Sequence, residues 1–201
     1  ARFGIERHWL PAVKPVRADY GRLASPDIPL TAVSGDQTAA LFVDGQPRAG
    51  EVLVNLGSGA FVVAVTGDIR QQVPALLAGQ AAMMPAGPLY YAEGTVNGAG
   101  TALDWLAERE HARIDPPMIE AALAAPGDTP VFLNAVGGLG SPWWSTIPSQ
   151  FVGDTAAGRE GLNARITAVA ESIAFLVVEN IERMRAFGLH LETLLFTGGL
   201  S

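Results

Sequence analysis

The residues best suited to chemistry stand where apolar runs end in glycine turns. The run Ile28 to Val33 ends in Ser34-Gly35, which delivers the pair Asp36-Gln37 to a small-residue segment, Thr38-Ala39-Ala40-Leu41. Gly57-Ser58-Gly59 follows Val52-Leu53-Val54, and Gly198-Gly199 follows Leu194-Leu195-Phe196. A carboxylate at a strand end can orient a hydroxyl and accept its proton, and the amide beside it can hold a polyol. Bare backbone at the other two turns lets N–H groups approach phosphate oxygens, with the Ser58 hydroxyl as an added donor. The layout suits phosphate chemistry. Each part also has a plainer reading. Asp36 can simply cap the helix that runs through Leu41, and glycines are the usual residues of a hairpin turn. There is no G-x-x-x-x-G-K-[ST] loop in the chain.

Two further segments have the same double character. Gly94-Thr95-Val96-Asn97-Gly98-Ala99-Gly100 opens the helix that carries Trp105, where small residues admit either a nucleotide or close helix–sheet packing. Trp143-Trp144, after Gly140-Ser141-Pro142, reads as a packed loop anchor or as a substrate wall.

The elements that must position these residues follow from periodicity. His8-Trp9-Leu10-Pro11 is read as ending or following a short helix, because the residue before proline avoids the helical region. Ile28–Val33 predicts a strand and Asp36 onward a short helix. Glu51 to Thr66 predicts two strands about Gly57-Ser58-Gly59. Leu89-Tyr90-Tyr91 predicts a short strand. Asn97 to Glu110 predicts a helix with Ala99, Ala102, Leu103, Leu106 and Ala107 at three-and-four spacing. Pro116-Pro117 opens another helix, with Asp115 as its N-cap. Val131-Phe132-Leu133 predicts a buried strand that runs into a glycine-rich loop. The longest helix spans Asn163 to about Phe187, with Ile166, Val169, Ala170, Ile173, Leu176, Val177, Ile181 and Met184 on one face. Asn163 suits its start, and Arg183, Arg185 and Gly188 suit its end. Leu194 to Phe196 predicts a last strand. This order of strands and helices indicates an α/β domain.

Composition excludes several other functions. The chain has 201 residues, 49% of them apolar, with 23 Gly and 14 Pro, as in a turn-rich globular domain. A net charge of −7 with only 13 Lys and Arg argues against a nucleic-acid partner. With no Cys, thiolate catalysis, disulfides and Cys-based zinc sites are excluded. His8, His111 and His190 form no ligand-spaced pair. No run approaches the roughly 20 apolar residues of a membrane span, and the start of the chain lacks a signal peptide. The expectation is a cytoplasmic protein without a membrane partner.

Taken in order, these segments resemble the C-terminal half of the FGGY carbohydrate kinases, and among them most the glycerol kinases. Gly35-Asp36-Gln37-Thr38-Ala39-Ala40-Leu41 is similar to that family's G-D-Q-x-A-A-L. Asn55-Leu56-Gly57-Ser58-Gly59-Ala60-Phe61 resembles its G-T-G-x-F turn, with Ser58 in place of Thr. Glu93-Gly94 through Ala99-Gly100 to Trp105-Leu106 resembles its E-G…A-G…W-L run. Gly138-Leu139-Gly140-Ser141-Pro142-Trp143-Trp144 resembles G-L-x-A-P-Y-W. Leu195-Phe196-Thr197-Gly198-Gly199 resembles a strand ending in D-G-G, with Thr197 in place of Asp. Leu10-Pro11-Ala12-Val13-Lys14-Pro15 is similar to the L-P-x-V-x-P run before the family's second domain.

The resemblance implies an actin-like, ribonuclease-H-like ATPase domain, incomplete at its C-terminus. Residues 1–27 would be a lead-in from a missing N-terminal domain, and residues 28–201 a truncated C-terminal domain. It implies an ATP-dependent kinase that transfers the γ-phosphate to a sugar or polyol, a glycerol-like one being favoured, with Mg²⁺ bridging the phosphates. Asp36 would be the base and, with Gln37 and Phe61, would hold the acceptor. Gly57 and Ser58 would face the ATP phosphates. Gly100, Leu103 and Asp104 would border the nucleotide, and Gly199 the adenine or ribose. The missing N-terminal domain would be a partner in the same protein, a homo-oligomer stays open, and this piece alone would be inactive. The alternatives are a pentulose kinase of the xylulose or ribulose type, and a non-catalytic actin-fold protein that binds nucleotide.

Overall fold

The computed structural model describes residues 3–84, 86–124, 127–155 and 157–200. A short 3₁₀ turn, Arg7–Trp9, precedes the elements that build the domain. These are α1 (Asp36–Ala40), β1 (Glu51–Leu56), β2 (Ala60–Gly67), β3 (Leu77–Met84), β4 (Gly87–Val96), α2 (Gly100–Glu110), α3 (Pro116–Ala124), β5 (Val131–Leu133), β6 (Gln150–Val152), α4 (Gly158–Ala186) and β7 (Thr193–Thr197).

Five strands form one sheet in the order β3-β4-β2-β1-β7, and β5 pairs with β6 in a small second sheet. β1 and β2 are an antiparallel hairpin, while β7 returns after α4 to run parallel to β1. Val52-Leu53-Val54 and Val62 to Val65 are continuous apolar runs because both faces of the sheet are covered. One face carries Val52, Val54, Val62 and Ala64 and packs on Leu106 of α2 and on Ile166, Val169, Ile173, Val177, Ile181 and Met184 of α4. The other carries Leu53, Val63, Val65 and Leu89 and packs on Ala40, Leu41 and Phe42. By length and composition α4 alone among the described helices could cross a membrane. Its apolar stripe instead covers the sheet, and its buried Thr167, Ser172 and Asn180 all hydrogen-bond within the protein.

Several expected elements take different bounds. Residues 28–33 form no strand. They lie against 16–23 through isolated bridges at Arg17–Ala32 and Arg22–Pro29, because Pro29 has no N–H to continue a ladder. The strand expected at 89–91 runs from Gly87 to Val96, so Glu93, Gly94 and Thr95 belong to β4 and not to a helix entrance. Its outer neighbour β3 was not foreseen. A Cβ at Gly79 in β3 would stand 2.5 Å from the Tyr91 hydroxyl, so a larger residue there would displace the Tyr91 ring. α2 starts at Gly100, and Asn97 instead donates to the Gly137 and Gly138 carbonyls. α4 starts at Gly158 with Ala157 at the N-cap, so Asn163 lies inside it. β5 stands apart from the main sheet, with Phe132 buried and Val131 exposed, and its partner β6 was also unforeseen.

Other expectations hold. The hairpin about Gly57-Ser58-Gly59 forms as read. Asp115 accepts from the Met118 N–H at 3.3 Å at the start of α3. Gly188 takes φ +87° just after α4. Trp144 anchors its loop by donating from Nε1 to the Ala75 carbonyl at 2.6 Å.

Candidate active site at one end of the sheet

β1 and β7 run parallel, so their carboxyl ends lie side by side, and Asn55 stands opposite Thr197. The turns Gly57-Ser58-Gly59 and Gly198-Gly199 therefore leave the sheet next to each other. In open α/β sheets, ligands bind outside the carboxyl ends of strands. Gly198 has φ +105°, and a Cβ there would lie 2.2 Å from the Leu56 carbonyl oxygen, so only glycine lets the two turns approach this closely. Gly199 is exposed, with nothing within 4 Å of where its Cβ would stand.

The Gly57 turn closes through its own Gly57 N–H to Gly59 carbonyl bond of 2.8 Å. Its outer carbonyls serve α2. Gly57 O accepts from the Gly100 N–H at 2.9 Å, and Ser58 O accepts from the Ala99 and Thr101 N–H groups and from Thr101 Oγ1. The first amides of α2, which lack partners within the helix, are thus satisfied by the turn. A Cβ at Gly100 would come within 2.9 Å of Gly57 O, so Gly100 is small because the helix abuts the turn. Gly57 itself has room, since its nearest neighbour, the Gly59 carbonyl oxygen, would be 3.8 Å from a Cβ. The Ser58 side chain is exposed.

Asp36 and Gln37 reach the same end of the sheet from the opposite face. Gly35, not Asp36, holds the N-cap of α1, so Asp36 is the first residue within the helix. Its carboxylate accepts from the Gln37 N–H at 2.8 Å and is exposed. Thr38 Oγ1 donates to the Gly35 carbonyl, which fixes the turn. Gln37 crosses to the sheet, where Asn55 Nδ2 donates to Gln37 Oε1 at 3.3 Å. That bond places the start of α1 over the last residues of β1, two positions before Gly57. Phe61 is opposite Asn55 on β2 and half-buried on the same face.

Not every expected residue joins this cluster. Leu103 is buried in the core and lines an apolar groove with Val54, Leu56 and Phe196. Asp104, next to it on α2, is exposed. Among residues given no role from the sequence, Asn55, Thr95 and Thr197 share the face and the row of Phe61. Glu93 is half-buried one row inward, opposite Val63, and burial raises its carboxyl above the usual range. Burial, and secondarily the Glu93 charge, also raises the Tyr91 phenol. The strand extends past Tyr91 to Val96, and its alternation puts Tyr91, Glu93 and Thr95 on one face.

A mixed α/β sheet with this topology is part of a domain of the actin-like, ribonuclease-H-like fold. Residues 52–201 match the model of the FGGY family of carbohydrate kinases, C-terminal domain, and the chain belongs to that family. A glycerol kinase of Geobacter sp. (strain M21) is 32% identical over 205 residues, covering 98% of this chain and 41% of that protein. A xyloylose kinase from Brucella ovis superposes with a TM-score of 0.78 at 22% identity, over 98% of this chain and 42% of that one. Plasmodium falciparum glycerol kinase, solved with ADP, superposes with a TM-score of 0.76 at 23% identity, over 93% of this chain and 39% of that one. The chain spans about two fifths of the length of these relatives.

Proposed function

We propose that the full-length protein transfers the γ-phosphate of ATP to a hydroxyl of a small polyol or sugar, with a glycerol-like acceptor. The observation that carries this reading is the convergence at one sheet end of an exposed carboxylate, Asp36, with two backbone turns, one of them open at Gly199. Membership of a carbohydrate kinase family supports it, and the glycerol kinases at 32% identity favour a glycerol-like acceptor. The likeness to pentulose kinases concerns the fold, so pentuloses remain the second acceptor class to assay.

In this reading Asp36 orients the acceptor hydroxyl and takes its proton as the bond to phosphorus forms. Phosphoryl transfer runs through a loose transition state, so positioning and charge neutralisation matter more than a strong base. Gln37 and Phe61 hold the acceptor's polar and carbon surfaces. Gly57 and Ser58 face the phosphates, and Gly199 leaves space for the ribose or adenine. Gly100, Leu103 and Asp104 border the nucleotide, Gly100 where its N–H bonds the Gly57 carbonyl. Mg²⁺ would arrive on the ATP phosphates and neutralise their charge. Among the described residues no group of three His, Asp or Glu side chains stands ready to hold it alone. An N-terminal domain of the same protein would form the other wall of the cleft, and the protein would work in the cytoplasm.

The deciding experiment is ADP release by the full-length protein with Mg-ATP and a panel of glycerol, other short polyols and pentuloses. Acceptor-dependent ADP release, with a phosphorylated product by mass spectrometry, is the expected result. Nucleotide binding with no acceptor-dependent turnover on any member would support the non-catalytic alternative instead.

A further inference from the structure

Four side chains stand in one row across the sheet, at the end that carries the candidate site. Thr95 of β4 is opposite Phe61 of β2, Phe61 is opposite Asn55 of β1, and Asn55 is opposite Thr197 of β7. Residues in register share a face, at about 4.8 Å per strand. The next row inward is Leu195, Leu53, Val63, Glu93 and Leu77, so this face turns from mostly apolar to mostly polar within one row. Within the outer row the Thr95 and Thr197 hydroxyl oxygens are buried and have no protein partner. Asn55, beside Thr197, donates to Gln37 Oε1.

A glutamine amide has one acceptor end and one donor end. With Oε1 held by Asn55, the Nε2 donors are the end of the Gln37 amide left for another partner. Its chain neighbour Asp36 carries a carboxylate, which only accepts. We propose that Asn55 is a positioning residue that fixes the Gln37 amide, so that the Asp36-Gln37 pair offers one acceptor and one donor side by side. With the amide fixed in this way, Gln37 donates to an acceptor oxygen, and losing Asn55 weakens acceptor binding without touching ATP. The inference rests on the reading that Asp36 and Gln37 face the acceptor.

The test uses the full-length protein with Mg-ATP and glycerol. Asn55→Leu keeps the volume and removes the bond. The expected result is an acceptor KM about tenfold higher, the upper end of one net hydrogen bond, with the KM for ATP within twofold and an unchanged melting temperature. Asn55→Asp, whose oxygens only accept, would draw Nε2 inward and turn Oε1 to the acceptor, giving at least the same rise. This second variant preserves the test where the Leu variant does not fold. Because Asn55 acts through Gln37, adding Asn55→Leu to Gln37→Leu should cost nothing further. Additive losses, an acceptor KM within twofold of the parent, or equal rises in both KM values would overturn the positioning role while leaving the kinase reading intact. A parent protein with no acceptor-dependent turnover would overturn that reading, and this inference with it.

Discussion

The two faces of the five-stranded sheet are built to different standards. Against α2 and α4, side chains are close to fully buried and glycine marks where two elements touch. Gly94 lies under Asn180, with space for a Cβ only 2.4 Å from the Asn180 Oδ1. Asn180 is fully buried and bonded to Ser141 Oγ at 2.7 Å and to the Leu176 carbonyl at 2.8 Å. Against α1 the cover is a single short helix, and polar atoms remain without partners at Thr95 and Thr197. The first face stores the packing energy. The second leaves the Thr95 and Thr197 hydroxyls without a protein partner. Close packing on one side allows incomplete satisfaction on the other, because a rigid sheet keeps the unpaired groups in place.

The largest expected effect tests the open face. In the full-length protein, Asp36→Asn should lower kcat by about 10²–10⁴-fold, the usual range for general-base assistance. The KM for ATP should stay within threefold. Asn keeps an oxygen for the Gln37 N–H, so the first turn of α1 is preserved. Steady-state kinetics with a melting curve separates the two roles. A folded variant within a few-fold of the parent kcat would leave Asp36 as a helix-start residue only, and the contrast between the faces would lose its functional half.

Next in size is the packed face. Gly94→Ala places a methyl group against a side chain held by buried hydrogen bonds, and overpacking of this kind costs about 2 kcal/mol. That corresponds to a fall of about 4–8 °C in the unfolding midpoint of a domain of this size. Thermal unfolding of the full-length protein reads it. The acceptor and ATP KM values of the folded fraction should not move, since Gly94 points away from the site. A shift in acceptor KM without loss of stability would mean that the faces are not separable.

Between them stands the turn that joins both faces. Gly57→Val should raise the KM for ATP about tenfold, roughly 1.4 kcal/mol, with the acceptor KM little changed. The space beside Gly57 admits a side chain without a clash, so the loss would come from keeping phosphate away from the backbone. Unchanged ATP dependence in the folded variant would reduce Gly57 to a hairpin residue.

What the sequence made legible divides along the same line. The β1–β2 hairpin, β7 and the apolar stripe of α4 were readable because both the hydrophobic period and the glycine punctuation point the same way. β3 was not, because Leu77-Ala78-Gly79-Gln80-Ala81 has little strand propensity and forms by pairing with β4. The strand expected at 28–33 failed on Pro29. The early start of α4 has no side-chain cap to announce it. In the site, Asp36 and the glycine turns could be picked out by type and spacing. The Asn55–Gln37 bond could not, since it joins residues 18 apart and depends on the position of α1 over β1. Nor could sequence separate Gly57, which has room, from Gly100, which is pressed on the turn.

The smallest expected effect concerns Glu93, the one carboxylate in the inner row of the open face. Burial raises its pKa in the folded state, so the folded protein binds its proton more readily than the unfolded chain. Between the unfolded value of about 4.3 and the raised folded value, stability falls as pH increases, because the unfolded chain releases a proton that the native state keeps. Above the folded value the cost is complete and constant. Below the unfolded value the residue is protonated in both states and costs nothing. Glu93→Gln removes the charge and keeps the shape, so it should raise the melting temperature of the full-length protein by about 1–3 °C at pH 7.5, a sub-kilocalorie effect at this size. The difference should close as pH falls toward 4. A variant less stable than the parent at pH 7.5 would mean that the Glu93 charge is held by a favourable partner. The open face would then be more fully satisfied than its unpaired hydroxyls indicate, and the comparison with the packed face would weaken accordingly.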